Sequence, residues 1–162
     1  MRGMAVAPIG FMKAINLYRE GEHRRTFAFV FEPDEDPVDG LTKTASEYQL
    51  ASAQITAVGG FSSATLGYFD RTRRAYQPIP VQEQVEVLSL LGDIAHDGDK
   101  RIVHLHCIVG LPDGSTRGGH LLEARVWPTL EVLVSEWPAF LRKRFDPALG
   151  LAVIDPLKVG EG

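Results

Sequence analysis

Three of the chain's five histidines lie in one seventeen-residue stretch, HLHCIVGLPDGSTRGGH, spanning residues 104 to 120. Neutral imidazoles are good ligands for zinc and other first-row divalent ions, and three protein ligands plus one open position is the make-up of a catalytic zinc centre. What matters is whether His104, His106 and His120 share a face. RIVHLHCIV alternates as a strand, placing Ile102, His104, His106 and Ile108 on one side and Val103, Leu105, Cys107 and Val109 on the other. Residues two apart stand about 6.6 Å apart along a strand, near enough for both rings to tilt onto one ion.

The turn fixes the third ring. Leu111-Pro112-Asp113-Gly114-Ser115 suits a three-residue hairpin loop, with proline second and aspartate third in a type I turn and Gly114 in the left-handed region. That loop pairs Leu111 with Ser115, and counting back sets His120 opposite His106 on the same face. A two-residue Asp113-Gly114 turn would slip the register by one and send His120 to the other face. Pro112 favours the longer loop. The alternative for the trio is a set of hydrogen-bonded histidines packed in a core or interface. Cys107 faces away and reads as a buried, inert thiol.

Candidates around the trio follow from charge. Glu86, in the apolar run VEVLSLLG, would be costly to bury unpaired. It reads as a ligand, an outer partner or a catalytic general base, or else as an edge or subunit-contact carboxylate paired with an arginine. Glu123 alternates away from His120. Arg117, beside the GGH strand, is the candidate for holding an anionic substrate. Two basic runs, Arg71 with Arg73 and Arg74, and Arg142-Lys143-Arg144, could touch phosphate but read first as solvated charges on a turn and a helix face.

The elements that must position these residues are mostly strands. MKAINLYR reads as a first strand, and TFAFVFE as a second whose Phe27, Phe29 and Phe31 face must be covered. Asp36 as N-cap and Pro37 in the first turn open a helix through Val38, Leu41, Ala45 and Tyr48, running to about Leu50. AQITAVGGF and SATLGYFD read as two strands around Gly59-Gly60, and VEVLSLLGDIAH as a central strand. RIVHLHCIVGL and GGHLLEARVW flank the turn, and TLEVLVSEW is another strand. PAFLRKRF reads as a short amphipathic C-terminal helix, and LAVID as a last edge strand. The fold class is α+β: a mostly antiparallel sheet with one main helix and one short C-terminal helix.

The chain of 162 residues is 44% hydrophobic and 23% charged, which fits one soluble globular domain with a proper core. Its net charge of −4 argues against a protein held mainly by phosphate contacts. A lone cysteine excludes an internal disulfide, and no apolar run approaches a membrane span, so a cytoplasmic protein is expected. Residues 1–10 read as an arm, 11–155 as the domain and 156–162 as a tail.

AQITAVGGFSSATLGYFD, VEVLSLLGDI and HLHCIVGLPDGSTRGGHLLEARVWPTLEVLV together resemble the plants-and-prokaryotes-conserved (PPC) domain, in its stand-alone bacterial form. The likeness covers about residues 11 to 155. It implies a homotrimer and a DNA-binding or regulatory binding module. The chain has no Arg-Gly-Arg-Pro hook for the A·T minor groove, and it carries histidines where the plant domains have none. The fold is shared with acetolactate decarboxylase, where a histidine pair two apart and a third from the next strand hold zinc. That resemblance implies zinc or another divalent ion on His104, His106 and His120. It also opens an alternative reading: a zinc-dependent lyase or hydrolase acting on a small carbonyl or carboxylate compound, with Glu86 moving the proton and Arg117 holding the substrate.

Overall fold

Alternation in RRTFAFVF puts Phe27, Phe29 and Phe31 on one side of a strand, where their exposure is 2%, 0% and 1%. Each such ring contributes about 1.5–3 kcal/mol by leaving water, so this face dictates what packs above it. The computed structural model describes residues 13–20, 24–137 and 141–155, and over them the chain forms nine strands and one helix. The expected arm at 1–10 and tail at 156–162 lie outside the described residues.

In chain order the elements are β1 (Lys13–Glu20), β2 (Arg24–Phe31), α1 (Pro37–Glu47), β3 (Ala53–Asp70), β4 (Ala75–Val81), β5 (Val85–Asp97), β6 (Lys100–Gly110), β7 (Thr116–Glu136), β8 (Lys143–Asp146) and β9 (Leu151–Ile154). The α1 start is the one the cap residues dictate. Asp36 Oδ1 accepts from the Val38 and Asp39 amides at 2.9 and 3.1 Å, and Pro37 occupies the first turn. Leu41 and Ala45 point into the core, and Tyr48, just past the helix, stands edge-on to Phe27 and Phe29 at 5.1 and 5.6 Å.

Seven strands form one antiparallel sheet in the order β1-β2-β7-β6-β5-β3-β4, with β7 pairing β3 as well. The extra pairing closes a circuit: β3 bonds to β5, β5 to β6, β6 to β7 and β7 back to β3. From these four strands Phe61, Leu66, Val85, Leu90, Leu105, Val109, Leu121 and Val126 are buried in the core. β1 and β4 end the order, and β4 carries Pro78 and Pro80, opposite Gly67 and Thr65 of β3.

Three expectations need correcting. Gly59-Gly60 does not break the chain into separate strands; β3 runs on without interruption for 18 residues. Its register shifts at Ala57/Gly59 against β5 and at Gly59/Phe61 against β7, so the irregularity is taken up as bulges. Gly59 sits at φ +149°, and a Cβ on Gly60 would stand 2.4 Å from the Trp127 carbonyl oxygen. The glycines therefore serve close backbone approach, not chain reversal. Likewise the strands expected from GGHLLEARVW and TLEVLVSEW are one, β7, of 21 residues.

The third correction concerns the short C-terminal helix expected from PAFLRKRF. Lys143–Asp146 instead forms β8, paired antiparallel with β9; residues 138–140 lie outside the described residues. The local reason is a turn at Asp146. Its Oδ1 accepts from the Ala148 and Leu149 amides at 2.8 and 3.3 Å, and the Gly150 amide donates to the Asp146 carbonyl at 2.7 Å.

Candidate metal centre

The hairpin joining β6 to β7 has the register that the Pro-Asp-Gly loop requires. The Leu111 amide donates to the Ser115 carbonyl and the Gly114 amide to the Leu111 carbonyl, both at 2.9 Å, with Gly114 at φ +82°. Asp113 Oδ1 braces the turn by accepting from the Ser115 amide at 2.9 Å. Gly110 consequently pairs with Thr116, Cys107 with Gly119, and His106 with His120. The three imidazoles share one face, as the spacing predicts.

On that face the rings form a compact group. One ligand atom from each of His104, His106 and His120 lies within 4.8 Å of the others. His104 and His106 stand edge-to-face with centroids 4.9 Å apart, and His104 stacks against His120 at 5.2 Å. The Nε2 atoms of His104 and His106 are 3.1 Å apart. A tetrahedral ion 2.0–2.1 Å from each nitrogen needs ligand atoms roughly 3.3 Å apart, so this pair is already at ligand spacing. His120 Nδ1 is buried and has no hydrogen-bond partner, an orphan that coordination would satisfy. Tyr76 of β4 stacks on the His120 ring at 4.5 Å and fixes its plane.

The remaining nitrogen of His104 is spoken for. Asp93, opposite His104 on β5, places Oδ2 3.2 Å from His104 Nδ1. An ionised carboxylate only accepts, so the proton resides on Nδ1 and the Nε2 lone pair is left facing His106. Burial pushes the Asp93 carboxyl up, but hydrogen bonds from His104 and Lys143, and their charges, hold it below the ordinary carboxylate value. Burial, then the charges of His104, His106 and Lys143, push the His120 imidazole down to about 4. Burial and His104 also lower His106, against the pull of Asp93. Two of the three rings are thus neutral at pH 7, the state a metal requires.

The other expected residues stand apart. Glu86 is exposed and pairs with Gly110, four residues along β6 from His106, or about 13 Å. Arg117 pairs with Val109 of the opposite face, and its Nη1 donates to the Pro80 carbonyl at 3.2 Å. Glu123 accepts from the Thr65 hydroxyl at 2.9 Å. Cys107 is buried on the core side, where burial pushes its thiol up to about 12. The residues that sequence reasoning missed are Asp93 and Lys143. Lys143 Nζ lies 2.9 Å from Asp93 Oδ1 with its side chain 5% exposed, so it is not the solvated charge expected of its basic run. Asp93 left a signal, being an acid in an apolar strand, the same signal that drew attention to Glu86.

The sequence profile of the Plants and Prokaryotes Conserved (PCC) domain matches residues 18–138. The chain belongs to this family. Among solved structures, this PCC domain is similar to a metal-containing protein from Archaeoglobus fulgidus, at 28% identity and TM-score 0.75 over 86% of this chain and 97% of that one. It is similar also to a protein from Bacteroides thetaiotaomicron, provisionally named as DNA-binding, at 26% identity and TM-score 0.77 over 86% and 96%. A Staphylococcus aureus protein described as similar to alpha-acetolactate decarboxylase shares the fold at TM-score 0.50 and 15% identity, over 68% of this chain and 51% of that one. A curated relative, bifunctional protein GlmU of Synechococcus sp. (strain JA-3-3Ab), is 32% identical over 143 residues, 85% of this chain. The PCC chain spans 21% of the length of that relative.

Proposed function

We propose that this PCC-domain protein is a binding module that holds a divalent metal ion, zinc first among candidates, through His104, His106 and His120. The observation that carries the reading is the pair of Nε2 atoms at 3.1 Å in a trio whose ring nitrogens, one from each histidine, lie within 4.8 Å of one another. The archaeal relative named as metal-containing supports it. Three nitrogen ligands leave one coordination position, and a bound ion would there supply a Lewis-acidic point for an anionic or carbonyl-bearing small ligand. In this proposal the module serves ligand-linked regulation, with association to DNA as its output, in keeping with the provisional name of the Bacteroides relative.

A homotrimer in the cytoplasm belongs to the same proposal. Leu91 and Ile108 flank His106 on the outward face at 56% and 47% exposure, apolar surface that a subunit contact would cover. No helix among the described residues is long and apolar enough to cross a membrane.

The exposure of His106 favours a second reading, a zinc-dependent lyase or hydrolase, because a substrate can reach that side of the cluster. The separation of Glu86 along β6 argues for a different proton carrier in that case, and Arg117 is turned to the Pro80 carbonyl.

The deciding experiment is elemental analysis of untagged protein together with its native mass. One equivalent of a divalent metal per chain, lost in His106→Ala, is the expected result; metal-free protein overturns the reading. A gel-shift at low and high salt tests the DNA output, since phosphate contact is strongest at low salt. No shift at low salt removes it.

A further inference from the structure

β8 and β9 form a two-stranded sheet of their own beside the seven-stranded one. Apolar burial does little to hold this hairpin, because Phe145, Leu149 and Ile154 are all exposed. From residue 143 to residue 154, Lys143 alone is buried. A lysine ammonium is strongly hydrated and goes under cover only where charge and hydrogen bonds replace its water. Asp93 provides the countercharge: its Oδ1 forms an ion pair with Lys143 Nζ at 2.9 Å, and its Oδ2 accepts from His104 Nδ1 at 3.2 Å. One carboxylate thus joins the hairpin to a ring of the candidate metal centre.

We infer that Lys143 is a positioning residue of the metal centre and that it couples the C-terminal hairpin to metal occupancy. Lys143 fixes the rotation of the Asp93 carboxylate, and Asp93 fixes the tautomer and plane of His104. This rests on the reading that the three histidines hold a divalent ion. The hairpin has other anchors that do not touch the site. The His96 amide of β5 donates to the Leu141 carbonyl at 2.8 Å, and Arg74 Nη1 donates to the Pro147 carbonyl at 2.9 Å. Removing the ammonium therefore loosens the centre while those anchors stay. Because coupling is reciprocal, an ion that tightens His104 against Asp93 must also quiet the hairpin.

Cobalt(II) titration of the full chain tests this, read by the visible absorption of the bound ion and by chelator competition. Wild-type protein should take up one equivalent, and His106→Ala should lose the spectrum. Lys143→Met should keep the band but bind severalfold more weakly, less than the about 10–100-fold cost of losing a group bonded directly to a ligand. Lys143→Arg, which retains the charge, should recover some of that loss. In wild-type protein, zinc should slow hydrogen exchange at the amides of residues 143–146 and 151–154. Failure of wild-type protein to bind cobalt overturns the metal reading and this inference with it. Unchanged affinity in folded Lys143→Met overturns the coupling alone. Where Lys143→Met does not fold, equal hairpin exchange with and without zinc overturns it.

Discussion

Burial and the neighbouring charges hold His120 down to about 4 and His106 below its ordinary value. In the metal-free protein these rings stay neutral while the same residues in the unfolded chain take up protons near pH 6.5. The unfolded state then binds more protons between pH 6.5 and about 4, so stability is full above that window and declines as pH falls through it. Urea unfolding of chelator-treated protein at pH 7 and pH 5 should show the lower midpoint at pH 5. His120→Gln should narrow the difference, and an identical difference in that variant would contradict the assignment. The trio was legible because alternation and one turn are enough to place it. Asp93 was not, because its placement depends on the pairing of β5 with β6 and on the bulge at Val87/Ser89. That bulge shifts the alternation and brings Asp93 opposite His104. Lys143 was hidden behind a helix reading that gave it a solvated face.

Elements succeed or fail on a few residues each. Asp36 caps α1 with two bonds and also accepts from the Ala124 amide of β7 at 3.3 Å. Asp36→Ala should cost about 1–2 kcal/mol, lowering the thermal midpoint by roughly 2–8 °C, measurable by circular dichroism. Gly60→Ala puts a methyl against the Trp127 carbonyl, where neither backbone can yield cheaply. A loss of about 1–3 kcal/mol is expected in denaturant unfolding, and a neutral result would mean that β3 and β7 are less tightly apposed than the structure shows. Helix α1, β2 and the β6–β7 hairpin were readable because cap, alternation and turn are local signals. The length of β3 and β7 was not. A glycine pair or a proline ends a strand in most contexts, and only the partner across the ladder reveals that it bends instead. The β8–β9 hairpin misread as a helix shows the same limit: three basic residues in RKRF fit a helix surface, while the turn at Asp146 and the burial of Lys143 decide for strand.

At the scale of the whole molecule, the circuit from β3 through β5, β6 and β7 ties the histidine face to the core on its reverse side. An ion that bridges β6 and β7 there stabilises the native state alone. Zinc at one hundred times its dissociation constant should add about 2.7 kcal/mol, a rise of roughly 5–11 °C in thermal midpoint for a chain of this size. Chelator should reverse it and His106→Ala should abolish it; equal midpoints with and without zinc in wild-type protein would argue that the trio is a packed cluster without an ion. The outer border of the sheet behaves differently. Pro78 and Pro80 remove two amide donors from β4, and Arg117 already occupies the Pro80 carbonyl. A foreign strand arriving at this flank finds gaps where it needs bonds, so crowded copies cannot zip together along it and fibrillar growth from that side is blocked.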